Sequence, residues 1–272
     1  MTTLAPVELG DRQPGSLEAS LRARRSEGRK LLVPYVTGGL EQWVDIVRAL
    51  ADAGADAIEI GLPFSDPMID GPVIQQASML ALRAGTTPRT VLDGIEQVAG
   101  DVGVPLLVMT YYNLLAHAGH ERIVSQMASA GVAGVIVPDL PVDEAGPWLT
   151  DLDAAGLEGV LLAAPTTPDA RLGLIAERAR GFLYAVGLLG VTGERDFLAS
   201  SALVLAERCK SVTDLPVIVG IGVGTPGQAH DVCQVADGAV VGSALVRRLL
   251  DGVGPSGAAR FVGELRAGID AA

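Results

Sequence analysis

Eight short runs, almost uniformly apolar and rich in β-branched residues, recur along the chain. They are LLVPYVT (31–37), AIEIGLP (57–63), PLLVMTY (105–111), GVIVPDL (134–140), GVLLAAP (159–165), FLYAVGL (182–188), PVIVGIG (216–222) and GAVVGSA (238–244). A strand with one wet face alternates apolar and polar residues. Runs that are apolar throughout fit strands of a parallel sheet, buried on both faces. Between them lie segments of helical period at 42–54, 88–100, 120–131 and 168–181, several ending in the glycine that commonly terminates a helix. Run starts are roughly 30 residues apart, the size of one strand–helix unit. Eight such units predict an α/β fold, a (β/α)8 barrel closed on itself, in one domain of 272 residues with residues 1–15 frayed.

Two gaps are longer than the rest. The second run starts at 57 and the third only at 105. In between lie FSDPMIDGP and a helical stretch, VIQQASMLALRAG. The sixth starts at 182 and the seventh at 216, with LGVTGERD between. Barrel chemistry sits on loops at the C-terminal ends of strands, so both insertions are candidate lids. No apolar stretch is long enough to span a membrane, and the first residues carry no apolar core of a signal peptide. Cys209 and Cys233 form neither a metal spacing nor a disulfide framework, which points to a reducing cytoplasm. Net charge −12 disfavours nucleic-acid binding.

The scarce cations and histidines remove whole mechanisms. A Schiff-base aldolase needs a lysine at a strand's C-terminal end. Lys30 precedes the first run and Lys210 ends a helical segment, both toward the opposite face. His117, His120 and His230 do not converge as metal ligands, nor do they supply a partner for a Ser or Cys nucleophile. No phosphate-binding P-loop is present. No metal or cofactor is implied.

Carboxylate acid–base chemistry remains. Glu59 lies between Ile58 and Ile60. If those face the helices, Glu59 faces the barrel interior. There it is either a structural carboxylate or a general acid/base tuned by burial. Asp66 and Asp70 follow in SDPMIDGP, either as turn carboxylates or as a second acid folding back over the mouth. Gly220 and Gly222, Gly242 and Ser243 end the seventh and eighth runs. They read as tight turns or as a backbone cradle for phosphate. Trp43 and Trp148 lie in helical segments and read as packing residues.

The run AIEIGLPFSDPMIDGPVIQ, with GVTG after the sixth strand and VGIGVGTP…VGSA, resembles the tryptophan synthase α-subunit family, over about residues 30 to 250. The resemblance implies reversible retro-aldol cleavage of indole-3-glycerol phosphate to indole and glyceraldehyde 3-phosphate. By residue it implies Glu59 as the catalytic glutamate and Asp70 as the aspartate that holds the indole N–H. It makes Tyr35, Tyr111 and Tyr184 pocket residues. Thr192 and Gly193 belong to the lid, and Gly220, Gly222, Gly242 and Ser243 bind phosphate. Asp66, Pro67 and Asn113 fall where the family meets its pyridoxal-phosphate β subunit, as an α2β2 heterotetramer. The chain departs from many relatives at Leu188 and Leu189 and in its Arg-rich lead, RARRSEGRK. Other readings are a stand-alone lyase releasing indole, a different phosphate-binding barrel such as an isomerase, and a non-catalytic activator of a β subunit.

Overall fold

All eight apolar runs become parallel strands, in a computed structural model that describes residues 13–187, 195–220 and 222–271, without the side chains of 195–200. The strands are β1 (Leu31–Thr37), β2 (Ile58–Gly61), β3 (Leu106–Met109), β4 (Gly134–Ile136), β5 (Glu158–Ala163), β6 (Leu183–Val186), β7 (Val217–Gly220) and β8 (Gly238–Val241). Each pairs with the next, and β8 closes on β1 through Leu31↔Gly238 to Pro34↔Val241. The predicted barrel is therefore closed. Most ladders are shorter than the runs that predicted them. Past their last paired residues the strands diverge to become loops, often after one further bond such as Leu62 N–H to the Met109 carbonyl (2.9 Å).

Twelve helices occur among the described residues. These are α1 (Ser16–Ser26), α2 (Trp43–Asp52), α3 (Pro72–Arg83), α4 (Pro88–Ala99), α5 (Tyr112–Ala118) and α6 (His120–Ser129), followed by α7 (Gly146–Ala154), α8 (Asp169–Arg178), α9 (Arg195–Lys210), α10 (Pro226–Val235), α11 (Ser243–Leu250) and α12 (Gly254–Asp270). Their apolar faces, with the outward side chains of the strands, form one ring of core. Ile58, Ile60, Val108 and Ala185 belong to it, as do both tryptophans, Trp43 and Trp148. A second cluster fills the barrel from inside, with Leu31, Val33, Leu107, Val160, Ile218 and Val240. The alternation of strand side chains separates the two.

The inner cluster also contains Leu17 and Leu21, both fully buried. They belong to α1, which plugs the N-terminal end of the barrel. Gly15, which precedes α1, offers no side-chain cap. The buried Glu158 at the start of β5 does so instead, accepting from the N–H of Leu17 (2.6 Å) and of Glu18 (3.2 Å). An acceptor at a helix N-terminus satisfies otherwise orphaned donors. The Arg-rich lead is consumed at the same end. Arg24 and Arg29 pair with the fully buried Asp56, which also takes Arg266 from α12 and the N–H of Leu32. Of the 1–15 segment expected to fray, residues 1–12 lie outside the described residues, and 13–15 lead directly into α1.

Candidate active site

The other end of the barrel is open. A cavity of about 180 Å³ there is lined by side chains from β1, β2, β3, β6 and β8 and by the segments that follow them. Of the eleven catalytic and substrate-binding residues expected, eight line it: Tyr35, Glu59, Asp70, Tyr184, Gly220, Gly222, Gly242 and Ser243. Among the described residues Tyr111 is the exception; it stands behind Asp70. Thr192 and Gly193 lie outside the described residues.

Glu59 is at the middle of β2, opposite Tyr35 on β1 and Leu107 on β3. Its neighbours Ile58 and Ile60 pack outward, so its carboxyl enters the cavity. It is 3 % exposed, and its Oε2 has no hydrogen-bond partner. An ionised carboxylate is costly in such a place. Burial first, and the charge of Asp70 second, push the Glu59 carboxyl up to about 8. Asp70 is also raised by burial, to about 6, but the Tyr111 hydroxyl bonded to it works in the opposite direction. Between those values Glu59 is a protonated acid and Asp70 an ionised carboxylate.

Asp70 closes the loop that leaves β2. Three contacts fix that loop. Tyr111 accepts from the N–H of Ile69 (3.3 Å), Gln75 of α3 donates to the carbonyl of Asp70 (2.8 Å), and Phe64 stacks on the Tyr111 ring, with centroids 5.0 Å apart. The tip of the loop is exposed. Asp66 is open to solvent, Pro67 half-buried and Met68 93 % exposed. Asn113, near the start of α5, is exposed as well.

Two aromatic rings require strand-end glycines. A Cβ on Gly61 would lie 2.0 Å from the Tyr35 hydroxyl oxygen, and one on Gly220 would lie 2.7 Å from the Tyr184 ring. Gly220 thus makes room for Tyr184, a role beyond the phosphate contact expected of it. In the same cavity lining Gly222 adopts φ +79°, and Gly242 precedes α11, whose first residue is Ser243. A helix N-terminus flanked by glycine backbone binds anions. Ile69, Gly71, Ile74, Met109 and Val240 also line the cavity and were not expected. Met109 was legible, since it shares the inward face of its run with Leu107. Ile74 comes from a helix that carries no such signal.

The lysines occupy the other end of the barrel. Lys30 donates to the Ala236 carbonyl, and Lys210 pairs with Asp237 just before β8. Among the described residues no group of three or more His, Cys, Asp or Glu could hold a metal ion, and no helix is long and apolar enough to cross a membrane.

The sequence profile described as tryptophan synthase alpha chain matches residues 21–259. The chain belongs to the tryptophan synthase alpha chain family. The tryptophan synthase alpha chain of Streptomyces coelicolor is 45 % identical over 242 residues, covering 86 % of this chain and 88 % of its own. That of Thermobifida fusca is 42 % identical over 266 residues, covering 94 % and 98 %. A crystal structure of tryptophan synthase from M. tuberculosis superposes with TM-score 0.86 at 36 % identity, covering 94 % of this chain and 99 % of that one. Tryptophan synthase subunit alpha from Legionella pneumophila gives 0.86 at 30 % identity, covering 96 % and 100 %. Glu59 and Asp70 thus share one cavity with the glycines Gly220, Gly222 and Gly242.

Proposed function

We propose that the chain cleaves indole-3-glycerol phosphate to indole and glyceraldehyde 3-phosphate, as the α subunit of a tryptophan synthase in tryptophan biosynthesis. The observation that carries this reading is the pair of acids, Asp70 and the buried Glu59, lining one cavity. A retro-aldol needs an electron sink, and indole supplies its own. The Glu59 acid protonates ring carbon 3, leaving a cationic ring whose N–H faces the Asp70 carboxylate. Glu59, now ionised, takes the proton from the hydroxyl on the carbinol carbon beside the ring. The bond between that carbon and ring carbon 3 breaks, and its electrons return to the ring. The carbinol carbon becomes the aldehyde, and Glu59 ends as it began.

Gly222, Gly242, Ser243 and the start of α11 hold the phosphate. Tyr35 and Tyr184 wall the indole. Asp66, Pro67 and Asn113 meet the β subunit in an α2β2 assembly that takes up the indole, in the cytoplasm. A strongly acidic chain needs a local cradle of this kind, because its overall field repels anions.

The test is steady-state indole release by the purified chain, alone and with a β subunit of the family, across pH. Expected are weak release alone, strong activation by the partner, and a kcat/KM profile with limbs at about 6 and about 8, below which Asp70 is protonated and above which Glu59 is ionised. High release unchanged by the partner makes the protein a stand-alone lyase. No indole in either condition removes the reading.

A further inference from the structure

We propose that Tyr111 is a positioning residue: it does not touch substrate but aims the Asp70 carboxylate and pins the loop that carries it. This rests on the reading above and assigns Tyr111 a place different from the substrate contact that the resemblance implied.

Three observations carry it. First, the Tyr111 ring is 3 % exposed and does not line the cavity, whereas Asp70 does. Second, its hydroxyl oxygen accepts from the N–H of Ile69 (3.3 Å), the residue before Asp70, and the same hydroxyl favours the ionised Asp70 carboxylate. One phenol thus acts on the backbone and on the side chain of the same segment. Third, Phe64, at the start of the loop, stacks on the ring with an interplanar angle of 26°. The loop is held at both ends by one side chain from the junction between β3 and α5, where Tyr111 is the residue just before the helix.

Glu59 on β2, Tyr35 on β1 and Tyr184 on β6 line the same cavity as Asp70, and none of them is a cation. Among the described residues, burial raises the Asp70 carboxyl and the Tyr111 hydroxyl opposes it. The Tyr111 hydroxyl is then the donor that keeps Asp70 ionised before substrate arrives. The indole N–H, a donor too, takes up the same carboxylate when it binds, so the tyrosine holds in place a group that the substrate must find already charged.

The test is Tyr111→Phe, which keeps the stacked ring and removes only the hydroxyl. The midpoint of the Asp70 carboxyl is read by carbon-detected NMR titration of the free protein, and kcat and KM are read across pH. Expected are an Asp70 midpoint and an acid limb of kcat/KM both raised by about half a unit to one unit. KM rises by about threefold to tenfold, as for loss of one ordering hydrogen bond, while kcat on the plateau changes less. Phe64→Ala loosens the loop with the hydroxyl intact. It raises KM without moving the limb, and it keeps the question open to measurement if the phenylalanine variant folds poorly. A merely structural Tyr111 would lower stability and leave the Asp70 midpoint where it was; that result overturns the proposal. Because the titration needs no substrate, it stands apart from the reaction itself. Wild-type protein that makes no indole overturns the proposed function, and an unmoved midpoint overturns the role of Tyr111.

Discussion

Glu59 is placed at a cost to the molecule that holds it. Its carboxyl ionises at about 8 in the folded chain and near the ordinary 4.5 when unfolded. The folded state therefore disfavours the charged form. The penalty is absent below about 4.5, grows as pH rises, and is complete above about 8. Glu59→Gln removes the titrating group while keeping its shape. It should abolish indole release, by at least about a thousandfold. The same variant should melt several degrees higher than wild type at pH 8.5, with the gap closing toward pH 5, as calorimetry at both values would show. An equal gap at both pH values would mean that burial of the charge is not what the fold bears. Position 59 was legible because strand alternation alone turns it inward between two outward isoleucines. Tyr111 was legible only as an aromatic near the site. Its hydrogen bonds run to Ile69 and Asp70, 42 positions away in the first case, and no pattern within its own run announces them.

Among the elements, the strands were plainest in the sequence and the first helix least. Eight apolar runs define a barrel wherever neighbouring strands can pair, and they paired in order. What the runs did not show was where each ladder stops, because that depends on the neighbour's loop. The glycines at strand ends show the coupling. Gly61 ends β2 at the level of Thr37 on β1, and the Tyr35 ring, two residues earlier on β1, lies across it with its hydroxyl near Thr37 (3.4 Å). Gly61→Ala would drive a methyl into the phenol oxygen, and Tyr35, 6 % exposed, has no vacant space to retreat to except the cavity. The expected outcome is a folded protein with KM raised at least about tenfold. Gly61→Ala combined with Tyr35→Leu should recover much of that affinity. Full activity of the single variant would mean that the ring moves aside at no cost. Helix α1 was missed because its burial is irregular. It reaches the core through Leu17 and Leu21, while its arginines look like a solvated run until Asp56, Asp214 and Asp237 are seen beneath them.

At the scale of the whole chain, the two ends of the barrel divide the labour. The C-terminal end holds the acids Glu59 and Asp70 and the strand-end glycines. The N-terminal end holds both lysines, Lys30 and Lys210, with Arg29 and Arg266, each bonded to an aspartate or a carbonyl. The remote cap of α1 joins the first described helix to the fifth strand. Glu158→Ala would strip the N-terminal donors of that helix of their acceptor and lower stability by about 1–2 kcal/mol. A fall of a few degrees in the melting temperature, with kcat/KM at neutral pH kept, is the expected measurement. An unchanged melting temperature would mean that the leucines alone hold the plug.

The acceptor for the Leu17 N–H stands 141 positions downstream. During synthesis, α1 leaves the ribosome long before the strand that will receive it, and through the making of the first four strands it has neither its cap nor the barrel floor it will seal. Among the described residues, the first helix to be made is one of the last to be seated. A chain growing in this way has the cap of α1 once β5 emerges, but its barrel closes only when β8 pairs with β1, so the order of translation is not the order in which this barrel can close.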